Sequence, residues 1–203
     1  MEEKASYSTV IPSFAFVGKM ASGKNTYADA LKAQLEKEFG ITVYRPAFSD
    51  PIKEIAVKYH GMVGKDRALL QAIGAKHKEI DPGVWAKYLA RDAVSSGRLP
   101  IVVDGMRSPD EAAAFRTMLP KVWIVRIDAD EKQRLEFYKK AYGRYPTKEE
   151  RNDITEKTVE KVKEDVRLVN DYTSETLRRH LEELTGIARR EVYIEEVKRR
   201  VLS

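Results

Sequence analysis

The 203-residue sequence contains no cysteine and only three histidines. The first absence excludes disulfides and thiolate metal sites. His60, His77 and His180 are too scattered to show metal-ligand spacing, so each is expected at the surface or at a helix end. No apolar run approaches the roughly 20 residues that a membrane-spanning helix requires, and residues 1–8 lack the apolar stretch of a secretory signal. A soluble, cytosolic chain is the expectation, as a monomer or homodimer and with no membrane partner. Charge of one sign is also lacking: 37 Lys and Arg stand against 32 Asp and Glu, and the net charge of +5 is spread along the chain. That balance suits a phosphorylated ligand and a nucleic acid equally. The absence of a strip in which basic and aromatic residues interleave argues against nucleic acid.

What is present is enough apolar sequence, 42% of residues, for one substantial core. Short β-branched runs at Phe14 to Val17, Ile41 to Tyr44, Ile101 to Val103, Val122 to Ile127 and Arg167 to Val169 are separated by helical sequence. Ala28, Leu31, Leu35 and Phe39 recur at helical spacing ahead of Gly40, a natural helix stop. Strands that alternate with helices predict an α/β domain with a doubly wound, five-stranded parallel sheet, whose ligands lie at the carboxyl ends of the strands. A single domain over 1–203 is expected, with core segments 12–49, 98–130 and 164–203 and a helical insertion over 50–97. Residues 131–163 form a charged helical stretch. From Thr185 onward another charged helix carries Ile194, Val197 and Val201 on one side, expected to pack on the domain.

The strongest motif is Gly18-Lys19-Met20-Ala21-Ser22-Gly23-Lys24, set between the first apolar run and the first helix. A turn in that position wraps backbone amides around an anion at a helix N-terminus, and Lys24 can bridge the outer phosphates of a nucleotide. The residue after Lys24 is Asn25, where a serine or threonine would ordinarily help hold magnesium; Thr26 follows, so the hydroxyl is displaced by one residue. Asp104, at the carboxyl end of the Ile101 run, is a second candidate magnesium ligand, and Arg107 offers a fork that matches phosphate oxygens. The same residues also fit a helix cap with Arg107 paired to Asp110 or Glu111. Asp50, followed by Pro51 and Lys53, has two roles open to it: a base toward an alcohol acceptor, or the start of a helix. In the insertion, Arg67 is a candidate grip on an acceptor phosphate, and Gln71 and Trp85 are candidates to read or stack on a base. For Trp85 packing is the favoured role.

Four pieces together resemble the nucleoside and deoxynucleoside monophosphate kinase branch of the P-loop kinases, including bacteriophage enzymes of that type. These are Gly18 to Thr26, Phe48 to Ala56, Leu70 to Gly74 with Asp81 and Trp85, and Val103 to Arg107 with Glu111. Asn170-Asp171 before a helix is similar to the last strand of dephospho-CoA kinases. The resemblance spans residues 14 to 184. It implies ATP as phosphoryl donor with Mg²⁺, and a small-molecule nucleotide as acceptor. It also makes 50–97 an acceptor-binding insertion and 131–163 a mobile lid, from which Arg134 and Arg144 close over the transferring group. A ribose hydroxyl, as in dephospho-CoA kinase, is the alternative acceptor. A nucleotide-switched regulatory or nucleic-acid-binding protein is the alternative from another class.

Overall fold

A computed structural model describes residues 8–64, 66–151 and 157–202; the side chains of Arg67 and Glu149 lie outside the described set. Among the described residues the sheet has four strands, β1 (Ser13–Val17), β2 (Val102–Met106), β3 (Val122–Asp128) and β4 (Val166–Val169). All are parallel, in the order β2-β1-β3-β4. Every residue of β1 is buried, as a strand covered by helices on both faces requires. All four strands therefore end on the same side of the molecule.

The fifth expected strand, residues 41–44, is reduced to one parallel bridge between Tyr44 and Ile101, on the outer side of β2. Its hydrogen bonds explain why. The Tyr44 amide donates to Pro100 O at 3.0 Å and the Val102 amide to Tyr44 O at 2.9 Å. The Val43 amide is instead taken by the Glu36 carboxylate at 3.0 Å, and Pro46 has no amide with which to continue a ladder.

The helices are α1 (Lys24–Phe39), α2 (Asp50–His60), α3 (Arg67–Ile80), α4 (Val84–Ser95), α5 (Pro109–Met118), α6 (Glu131–Tyr142), α7 (Lys148–Arg151) and α8 (Ser174–Leu202). Alternation along the strands sends Phe14, Phe16, Val125 and Ile127 to one face, against Ala28, Leu31 and Leu35 of α1 and Leu184 and Ala188 of α8. Ala15, Val17, Val103 and Ile124 face the other way, against Leu89 and Ala93 of α4 and Phe115 of α5. Helix α1 stops where the sequence indicates, at Gly40 in the left-handed region, whose amide returns to Glu36 O. A third apolar cluster, Ala56, Ile73 and Trp85, joins α2, α3 and α4. No helix among the described residues is long and apolar enough to cross a membrane.

Three expectations need correction. Helix α8 begins at Ser174 and buries Leu181, Leu184, Ile187 and Ala188, whereas Ile194, Val197 and Val201 are exposed. Its 29 residues extend about 44 Å, far beyond the strands it covers. His180 is buried, and its Nδ1 shares a 2.8 Å hydrogen bond with Tyr27 Oη. Finally, residues 159–162 belong to the core: Val159 and Val162 are buried in the second cluster. The buried Arg126 donates to both of their carbonyls, at 3.0 and 2.7 Å. Of the expected lid, 131–151 and 157–158 lie outside this anchor; residues 152–156 fall outside the described set.

Candidate active site

The turn after β1 follows from its two glycines. Gly18 has φ +154°, and a Cβ there would stand 2.3 Å from Ile127 O on β3. Gly23 has φ +98°, and a Cβ would meet Asn170 Nδ2 at 2.5 Å. Between them Ala21 holds φ +60°, a left-handed conformation unfavourable for a side-chain-bearing residue. Gly23 then starts α1 with no side-chain cap and no acid in the first turn. The positive end of the helix dipole thus opens into the turn, as an anion site requires.

Around this turn the carbonyls are held from outside. Lys24 Nζ donates to Lys19 O at 2.6 Å, Arg134 Nη1 to Met20 O at 3.1 Å, Tyr172 Oη to Ala21 O at 2.7 Å and Asn170 Nδ2 to Ser22 O at 3.0 Å. The Ser22 amide closes the turn on Lys19 O at 3.2 Å. Among the described residues Ser22 Oγ is buried without a hydrogen-bond partner, an exception of the kind that a bound ligand or water resolves. Lys24 is almost fully buried, whereas Asn25 and Thr26 are exposed in the first turn of α1.

Asp104 is re-aimed by a bulge. Ala15 pairs with Val103 but Val17 with Met106, so β2 carries one extra residue, and Gly105 takes φ +86° to accommodate it. The Asp104 carboxylate accepts from Arg45 Nη2 at 2.6 Å, both side chains being 17% exposed. Arg45 Nε reaches Asp29 on α1 at 3.0 Å. Asp104 does not cap the next helix; Ser108 does, accepting from the Glu111 amide at 3.3 Å. The buried Glu111 carboxylate accepts the Arg107 amide at 2.6 Å and Lys78 Nζ at 2.7 Å. Thr158 Oγ1 donates to Arg107 O at 2.7 Å, which joins the end of the 131–158 stretch to the turn after β2. Oxygen donors from Thr26 and Asp104 have the hard chemistry that magnesium takes, with Asp104 sharing one oxygen with Arg45.

The acceptor-side candidates are more dispersed. Asp50 sits in the first turn of α2, where its carboxylate accepts the Ala47 amide at 2.8 Å and Lys53 Nζ at 3.2 Å. Gln71 is exposed on α3. Arg67 opens α3, and its side chain lies outside the described residues. Trp85 is 2% exposed, donates its indole N–H to Gly74 O at 3.3 Å and lies 5.0 Å from the His77 ring. It anchors the insertion's core, and a base has no exposed indole face there to stack on.

On the side of α6, Lys19, Met20, Ala21, Arg134, Arg151 and Glu160 are among the residues that line a cavity of about 170 Å³ beside the turn. Lys19 Nζ pairs with Glu160 at 2.5 Å and holds that carboxyl below its usual range. Arg144 does not line this cavity. It forms a two-pronged pair with Glu150 at 2.7 and 2.8 Å, which pulls the Glu150 carboxyl down to about 2.

The residues missed from sequence are Arg45, Tyr172, Tyr27 and His180. Arg45 was legible only as the polar residue that ends the second apolar run at the ligand-bearing edge of the sheet. Tyr172 gave no signal, because the loop it touches is 151 residues away. Asn170, noted in the strand-to-helix resemblance, proves to reach 148 residues back to the turn.

No family model and no curated protein matches the sequence. Solved structures do match in fold. They include a gluconokinase from Sinorhizobium meliloti 1021, at 15% identity and TM-score 0.56, over 91% of this chain and 97% of that one. A sugar kinase from Janibacter sp. HTCC2649 matches at 19% identity and TM-score 0.51, over 90% and 95% of the two chains. A Thermus thermophilus protein matches at 17% and 0.52, over 86% and 97%. At these identities what is shared is the fold, an α/β domain with a parallel sheet that solved kinases also use.

Proposed function

We propose that the chain is an ATP-dependent phosphotransferase that moves the γ-phosphoryl group to the phosphate of a nucleoside or deoxynucleoside monophosphate. The observation that carries this reading is the turn at 18–24. It lies at the carboxyl edge of a parallel sheet, its carbonyls are tied back by outside donors, and an uncapped helix start and the Lys24 ammonium converge on one spot. That is a cradle for a polyphosphate. The fold, one that solved kinases use, accords with transfer as the reaction.

In the proposed reaction an oxygen of the acceptor phosphate forms a bond to the γ-phosphorus while the bond from that phosphorus to the β–γ bridging oxygen breaks. ADP departs with the electron pair. An acceptor phosphate is already ionised near neutral pH, so no base is needed, and alignment and charge neutralisation supply the catalysis. Lys24 leaves Lys19 O for the donor's outer phosphates. Arg107, with Arg67, holds the acceptor, and Arg134, already against Met20 O, is the lid cation that closes over the transferring group. Of the lid expected over 131–163, the described residues 131–151 and 157–158 lie outside the core anchor, and closure of the lid keeps water from taking the phosphoryl group. Thr26 and Asp104 would hold magnesium, which when bound neutralises charge shared by the β- and γ-phosphates.

The acceptor is tested by a panel of ribo- and deoxyribonucleoside monophosphates beside dephospho-CoA, scored for ADP release and for phosphorylated product. Stimulation by one or more monophosphates is expected. Stimulation by dephospho-CoA alone assigns a ribose hydroxyl as acceptor and makes Asp50 its base. ATP binding with slow hydrolysis that no acceptor stimulates leaves the nucleotide-switched reading.

A further inference from the structure

We propose that Tyr172, seated by Asn170, is a positioning residue that fixes the peptide orientation of the phosphate loop and ties it to the placement of helix α6. The inference rests on the reading of residues 18–26 as a polyphosphate cradle and adds what holds that cradle in shape before a ligand arrives.

In a planar trans peptide the carbonyl of one residue and the amide of the next point in opposite directions. A donor that captures Met20 O or Ser22 O from outside therefore turns the amide of Ala21 or Gly23 to the inner side. Arg134 and Asn170 are those donors. Tyr172 captures the carbonyl between them, Ala21 O, at 2.7 Å. That peptide's amide, from Ser22, is thereby aimed at Lys19 O, where it closes the turn. Three consecutive carbonyls are held by three side chains from two separate elements, α6 and the β4–α8 connection.

Two left-handed residues meet at this contact. Ala21 has φ +60° and Tyr172 φ +63°. Such conformations are unfavourable without glycine and persist where surrounding contacts determine them. Asn170 Oδ1 accepts the Tyr172 amide at 2.9 Å, which sets the tyrosine backbone, while its Nδ2 holds Ser22 O. Burial raises the Tyr172 phenol to about 12, so the hydroxyl remains a donor through the physiological range. The link to α6 is the Tyr172 ring, stacked on Phe137 at 4.9 Å and 25°. Phe137 and Arg134 are three residues apart on α6 and share a face. A shift of α6 thus acts on Met20 O through Arg134 and on Ala21 O through the stacked rings.

The test uses Tyr172→Phe, which keeps the ring and its stack and removes only the hydroxyl, in the full chain. Calorimetric titration with the ATP analogue AMPPNP and magnesium is expected to show affinity about five- to tenfold weaker than wild type, with an unchanged melting temperature. In the ligand-free proteins, amide hydrogen exchange is expected to quicken at Ala21 and Ser22 and to stay at wild-type rates in the interior of α1. Phe137→Leu, which keeps the hydroxyl and loosens the stack, is expected to give a smaller change in the same direction. Wild-type affinity together with wild-type exchange in Tyr172→Phe overturns the proposal; so does a uniform rise in exchange with a lowered melting temperature, which marks a general packing role. If wild-type protein binds no AMPPNP, the polyphosphate reading fails, and ligand-free exchange at Ala21 and Ser22 alone upholds or overturns the clamp.

Discussion

The two sides of the carboxyl edge of the sheet are built differently. On the proposed donor side, the turn at 18–24 has its carbonyls fixed by Lys24, Arg134, Asn170 and Tyr172, and two glycines stand where any Cβ would collide. On the proposed acceptor side, Asp50 and Lys53 satisfy one another in the open, Gln71 is exposed, and Trp85, for which packing was the favoured role, is locked in the core joining α2, α3 and α4. The turn is held in shape before any ligand arrives, which under the proposed function suits a chemistry common to all nucleoside triphosphates. The proposed acceptor side carries charged groups whose geometry depends on how helices α2 and α3 sit, and under the proposed function that is where specificity would be set.

Substitutions sharpen this contrast. The largest effect is expected from Lys24→Ala, which removes the cation proposed to follow charge through transfer. Turnover should drop roughly 10²- to 10³-fold with little change in melting temperature, as steady-state kinetics and a thermal melt on one preparation would read. Gly18→Ala comes next: its methyl group would press on Ile127 O. Chemical denaturation should show a loss of about 1–3 kcal/mol, accompanied by weaker triphosphate binding. If it is neutral, the donor side is less rigid than described.

Arg45→Ala should leave the Asp104 carboxylate unpaired beside Asp29. A loss of about 1–3 kcal/mol is expected in the same denaturation experiment, with altered magnesium dependence of turnover. Arg45→Lys should recover only part of it, since a single ammonium cannot hold both acids as the fork does. The smallest effect concerns acid. Burial, and then the neighbouring Arg179 charge, lowers the His180 pKa from 6.5 against the opposing pull of Glu183 and Asp171. The unfolded chain then binds more protons than the folded one, so the neutral His180–Tyr27 pair contributes stability that is present above 6.5 and lost as pH falls through the folded value. Melting temperature measured from pH 7.5 to 5 should decline, and it should decline less in His180→Gln.

The form of the turn at 18–24 was legible in the sequence because its signal is local. Glycines five residues apart, a lysine, an apolar run before them and Leu31 and Leu35 after them specify strand, turn and helix within one stretch of chain. The three-layer packing followed from period-two strands and period-3.6 helices. What could not be read depends on contacts between distant segments. Arg45 looked like the end of a strand because its partners lie on α1 and after β2, and the strand itself lost its ladder to the Glu36 carboxylate. His180 looked like an ordinary surface residue until α8 laid it over Tyr27. For Trp85 the sequence favoured packing over a base platform, and its depth bears that out.

The central claim is that residues 18–26 hold a nucleotide's polyphosphate tail. Amide hydrogen exchange with and without AMPPNP and magnesium tests it most directly. Marked slowing confined to residues 18–26 and the start of α1, and abolished in Lys24→Ala, is the expected result. Unchanged exchange across that turn, or slowing centred elsewhere in the molecule, would contradict it.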